Sequence, residues 1–135
     1  MDVIDPQAIR DSLLARDVTL NPPATEDVIA ELNSWAGGRL HPHVAQMLRE
    51  FDGFSDWDYE GKSFVSVWPV EKALSDDWTR QPLLAFSDWS INAMIFGFDP
   101  SSNGPIISIE DASVVAPTYA EFWLRLLSDS LFQTK

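Results

Sequence analysis

Only two imidazoles occur in the chain, His41 and His43, and they flank Pro42 where a helix is expected to start. Histidines at i and i+2 share a metal only on extended backbone, and no acid lies near in sequence to complete a ligand set. A polar helix entrance is the plainer account of the pair. The stretch Asp56-Trp57-Asp58-Tyr59-Glu60-Gly61 places acids at positions 1, 3 and 5 and glycine at 6, the opening of an EF-hand calcium loop. Position 12, which must supply a bidentate glutamate, is Val67, and position 8, where an apolar residue belongs, is Ser63. The template fails where affinity is made, which leaves a solvated acidic loop. Acid–base chemistry needs one carboxyl group in an apolar setting. Asp88, after Phe86 and next to Trp89, is the best single candidate, with a turn residue between strands as its ordinary alternative. There is no cysteine, no Gly-x-Ser-x-Gly and no phosphate-cradling glycine loop. An enzyme is not expected, nor is a metal or any other cofactor.

The six tryptophans divide by context. Trp35, Trp68 and Trp123 fall in helix or strand patterns and are expected in the core, whereas Trp57, Trp78 and Trp89 stand among acids in expected loops. Aromatics ringed by carboxylates resemble protein-binding hot spots, where the ring gives buried area and the acids steer a basic partner. Loop tryptophans that seal the edge of the core are the other account. The candidate partner-binding residues are Asp56, Trp57, Asp58, Glu60, Asp76, Asp77, Trp78 and Asp88.

Charge points the same way: 9 Lys and Arg against 21 Asp and Glu give a net −12 and a pI near 4.2. Such a chain repels phosphate backbones and anionic lipid, so neither nucleic acid nor membrane is an expected partner. A basic protein is favoured, with solubility alone as the bland alternative. No apolar run is long enough to span a bilayer, the first residues lack a signal-peptide pattern, and a cytoplasmic location is expected. At 135 residues with 45% apolar composition, one globular domain is expected.

The elements that must position these residues are read from caps and periodicity. Asp5 and Pro6 open a short helix with Ile9, Leu13 and Leu14 on one side, ending near Arg16 and followed by the break Asn21-Pro22-Pro23. A second helix starts at Thr25, carries Val28, Ile29, Leu32 and Trp35 as its stripe, and stops at Gly37-Gly38. A third, led by Leu40-His41-Pro42, runs through Val44, Met47 and Leu48 to Phe51. A strand over 64–68 follows, then one or two helical turns over 70–74 and the loop Asp76-Asp77-Trp78-Thr79. Apolar runs at 83–86, 93–98 and 106–109 read as strands, the last two joined in a hairpin through 99–104. Thr118 and Glu121 form a capping box before a final helix. The fold class is α+β: a central, mainly antiparallel sheet of about four to six strands flanked by N-terminal helices and a C-terminal helix. Residues 1–23 are read as an N-terminal helix with a proline-rich linker and 24–131 as the core of the domain.

The order of short motifs resembles the SUKH superfamily, which includes cell-wall assembly regulators and Syd-like immunity proteins. The likeness is carried by the Leu-His-Pro-led helix ending in Phe51-Asp52-Gly53, Phe86-Ser87-Asp88 before an aromatic strand, and the closing Tyr119-Ala120-Glu121-Phe122-Trp123-Leu124. It spans about Thr25 to Ser130. The chain departs from the family pattern at His41, at Asp52 where asparagine is commoner, at Ser87, and in Tyr119-Ala120-Glu121-Phe122. The resemblance implies an α+β domain with no catalytic role. Many bacterial members are similar to immunity proteins that bind and neutralise a cognate toxin, often a nuclease. A regulatory or scaffolding module, as among the eukaryotic members, is the alternative it implies.

Overall fold

The structure, a computed structural model, describes residues 4–59, 63–89 and 94–128, with the backbone alone at 55–59, 63 and 64. Helix ends follow the local chemistry. Helix α1 (Pro6–Ala15) begins where Asp5 Oδ1 accepts the Ala8 amide at 3.1 Å, and it buries Ile9 and Leu13. Helix α2 (Glu26–Trp35) is capped by the Thr25 hydroxyl, has Glu26 and Asp27 at its positive end, and buries Ile29 and Leu32. It stops in two left-handed glycines: the Gly38 amide donates to the Asn33 carbonyl at 2.8 Å and the Gly37 amide to the Ser34 carbonyl at 3.0 Å, the nested bonds of a Schellman turn. In helix α3 (Pro42–Glu50) the cap is imidazole, His41 Nδ1 accepting the His43 amide at 3.1 Å, while Val44, Met47 and Leu48 go inward.

Among the described residues six strands pair antiparallel in chain order: β1 (Phe54–Tyr59), β2 (Ser63–Val67), β3 (Leu84–Trp89), β4 (Met94–Phe98), β5 (Ile106–Ser108) and β6 (Val114–Ala116). Helix α4 (Val70–Ser75) sits in the connection between β2 and β3, and helix α5 (Tyr119–Leu127) follows β6. Two strands depart from expectation. Residues 56–59, expected within the acidic loop 56–61, lie in β1, because their backbone finds a ladder on β2 whatever the intervening acids prefer alone. The three-residue β6 has too little sequence to announce itself.

Helix α5 closes the core. Its capping box forms, the Glu121 amide donating to Thr118 Oγ1 at 2.9 Å, and it buries Tyr119, Phe122, Trp123 and Leu126. Phe122 meets Phe86 edge-on at 5.1 Å, Tyr119 stacks on Phe98 at 5.0 Å, and Trp123 meets Phe51 of the α3 end at 5.6 Å. Such pairs add about 1 kcal/mol each beyond the area they bury. Within the N-terminal stretch, residues 4–23 join this core rather than tether to it. Val18 is buried, Leu20 bridges to Phe54, and the Asn21 amide donates to the Gly53 carbonyl at 3.0 Å. The exposed surface, 7087 Å², matches the roughly 7,100 Å² that size scaling gives a single domain of this mass. Among the described residues no helix is long and apolar enough to cross a membrane.

Candidate functional site

The loop between α4 and β3 is held on three sides. Asp76 Oδ2 accepts the Trp78 amide at 3.0 Å and its carbonyl accepts the Thr79 amide at 3.1 Å, a tight turn built on an aspartate. The Thr79 hydroxyl donates to the Ala73 carbonyl at 2.6 Å and accepts the Ala85 amide at 3.0 Å, tying the end of α4 to the start of β3. Lys72 Nζ lies 3.5 Å from Asp76 and 4.2 Å from the Trp68 ring. The braced loop presents Asp77 and Trp78 outward, with 43% of Trp78 exposed. A ring that size normally hides; held open beside two carboxylates, it is placed for an intermolecular contact.

Past the loop, Gln81 Nε2 donates to the Trp35 carbonyl at 2.7 Å, which fastens the segment to the C-terminal end of α2. Between them opens a cleft of about 290 Å³ lined by residues of the α2 end, among them Trp35 and Gly37, with Arg39, Gln81, Pro82, Asp99 and Ser101. The far wall is the turn between β4 and β5. There Asp99 Oδ1 accepts both the Ser101 amide at 2.9 Å and its hydroxyl at 2.7 Å. Helix α3 fixes that turn: the His41 amide donates to the Pro100 carbonyl at 2.8 Å, and His43 Nδ1 sits 3.2 Å from Asn103 Oδ1. Burial and the neighbouring His43 both hold the His41 imidazole below its usual range.

The expected binding residues therefore scatter. Asp76, Asp77 and Trp78 stand together on the loop. Asp56, Trp57 and Asp58 lie on β1, an edge strand of the sheet and not a loop, with Trp57 paired to Val65 and Asp58 to Phe64. Glu60 falls outside the described residues. Asp88 requires a correction, since it is neither a turn residue nor on the surface. It lies in β3 at 6% exposure, level with Ser66 and Ile95 on the neighbouring strands, and its Oδ2 accepts the Trp68 indole N–H at 2.7 Å. A partner cannot reach it. The expected core tryptophans divide too: Trp68 and Trp123 are buried, while Trp35 is half-buried and lines the cleft.

The cleft residues Trp35, Arg39 and Asp99 were not singled out by sequence as binding residues. The usable signal was Gly37-Gly38, which marks a helix C-terminus and so a place that favours cations. Asp52, in sequence part of a helix stop, does more in the fold. Its Oδ1 accepts the Val70 amide at 3.0 Å, capping α4 from a distant point in the chain, because the local cap residue, Pro69, has no side chain to do so. Burial, with a smaller push from Glu71, raises its carboxyl above the usual range against the opposing pull of that hydrogen bond. Compared with known proteins, the chain matches no family model, and no curated protein is significantly similar to it.

Proposed function

We propose that this chain is a cytoplasmic immunity protein of the SUKH type, which binds a basic cognate toxin in a stoichiometric complex and occludes it without a cofactor. The observation that carries the reading is Trp78, open to solvent on a rigid loop with Asp76 and Asp77, on a molecule of net charge −12. A ring already held out loses little freedom on binding, and surrounding negative charge speeds capture of a positive partner. The motif order read from the sequence supports the family, and an α+β domain with a central, mainly antiparallel sheet is the architecture the resemblance implies. The lack of cysteine fits a reducing compartment.

The test has two steps. The tagged chain captures partners from a lysate of its source at low and high salt, and each captured protein is then expressed alone and together with the chain. The reading requires that a captured protein arrest growth alone, that the wild-type chain restore growth, and that D76K/D77K and W78A fail to. Capture of non-toxic proteins only, or rescue indifferent to all three changes, overturns it in favour of a regulatory scaffold.

A further inference from the structure

The cleft past the Trp78 loop brings a helix C-terminus, a carboxylate and an indole together, with Arg39 as a cation in its lining. Helix α2 ends there with its negative pole and no basic residue in its last turn. Both bonds from Ser101 fall on one oxygen of Asp99, Oδ1, and among the described residues no ion pair reaches that carboxylate. A half-buried indole, Trp35, forms part of the lining, and Pro82 adds a second flat apolar surface. A negative pole, a carboxylate with a spare oxygen and an aromatic wall are what a guanidinium takes: ion pair, directed N–H bonds and stacking at once.

We propose that this cleft receives one arginine side chain of the protein partner, Asp99 Oδ2 taking the guanidinium and Trp35 its flat face. The inference rests on the partner-binding reading above and names the chemistry that the partner must bring. The cleft volume, about 290 Å³, is enough for a single long side chain. Gln81, which lines the cleft and fastens it to the end of α2, lies three residues after Trp78 in the chain.

Arg39 decides the sign of the test. Its guanidinium is exposed and, with that of Arg80, is one of two among the described arginines that reach no acceptor; Arg10, Arg49 and Arg125 all pair with carboxylates. For a cationic occupant Arg39 is a like charge at the rim, so removing it must strengthen binding. For an anionic occupant Arg39 is the anchor, so removing it must abolish binding.

The experiment titrates the ¹⁵N-labelled protein with arginine blocked at both ends as Nα-acetyl-arginine methylamide and follows the Trp35 indole and Ser101 amide signals. It needs no toxin, so its failure is separable from failure of the immunity reading. Saturable, concerted shifts of both signals are expected, with a dissociation constant on the order of millimolar. Asp99→Asn, which keeps Oδ1 for Ser101, should weaken binding about fivefold, while Arg39→Ala should tighten it about twofold. Blocked glutamate should leave both signals still. Absence of shifts, indifference to Asp99→Asn, or loss of binding in Arg39→Ala overturns the proposal, the last in favour of an anion.

Discussion

Protonation of His41 removes the lone pair that caps α3, since the same Nδ1 that accepts the His43 amide is a base. Because its folded-state affinity for protons is lowered, the folded form favours neutral imidazole. The stability this represents is complete above the unfolded value near 6.5 and is lost as pH falls toward the lowered folded one. Denaturant midpoints should therefore fall between about pH 7.5 and about pH 5.5. His41→Asn, which keeps a cap acceptor that does not titrate, should flatten that fall, and His41→Ala should cost about 1 kcal/mol at neutral pH. A midpoint in His41→Asn as pH-sensitive as the wild type would mean that the lost stability resides elsewhere. Asp52 has the opposite sign. Its carboxyl is raised, so its charge disfavours folding at any pH above the raised value, and the penalty is relieved as pH falls through it. Asp52→Asn keeps an oxygen for the Val70 amide and should match or exceed the wild type at neutral pH. Asp52→Ala strands that amide and should lose about 1 kcal/mol.

Two glycines with similar φ separate conformation from crowding among the elements. Gly37 closes α2 at φ +72° with open space where a Cβ would point, so Gly37→Ala should cost about 1 kcal/mol, the left-handed penalty alone. Gly53, at φ +79°, leads the chain into β1, and a Cβ there runs into the Val67 carbonyl on the paired strand. Gly53→Ala should cost about 3 kcal/mol, strain and overlap together, and equal losses in urea melts would contradict this account. Local chemistry explains which elements were legible. Asp5, Thr25 and Thr118 announce helices because each cap acts within three residues of itself. The strand β1 is hidden because Asp56 and Asp58 break up its β-formers, and its ladder comes from residues of another strand, β2. Asp88 was misplaced for a similar reason, its partner Trp68 lying 20 residues away. The Trp78 loop was legible as surface, since its acids and ring are neighbours in sequence. The cleft was not, because Gln81 and Trp35 meet across 46 residues.

For the whole molecule, a net charge of −12 on one small domain means self-repulsion that salt relieves. Raising NaCl from about 10 mM to about 300 mM should lift the melting temperature by about 3 °C while slowing association with a basic partner. A melting temperature that falls with salt would show the few surface ion pairs, such as Arg49 with Glu26, outweighing the repulsion. The meander has a further consequence, one that concerns time. Each strand pairs with the one synthesised just before it, so the sheet can zip from its N-terminal edge as the chain leaves the ribosome. The aromatic lid is the exception, for Tyr119, Phe122 and Trp123 arrive after every strand they cover. Until then Phe86 and Phe98 lack their cover, and the nascent chain is sticky for as long as translation of its final helix is delayed.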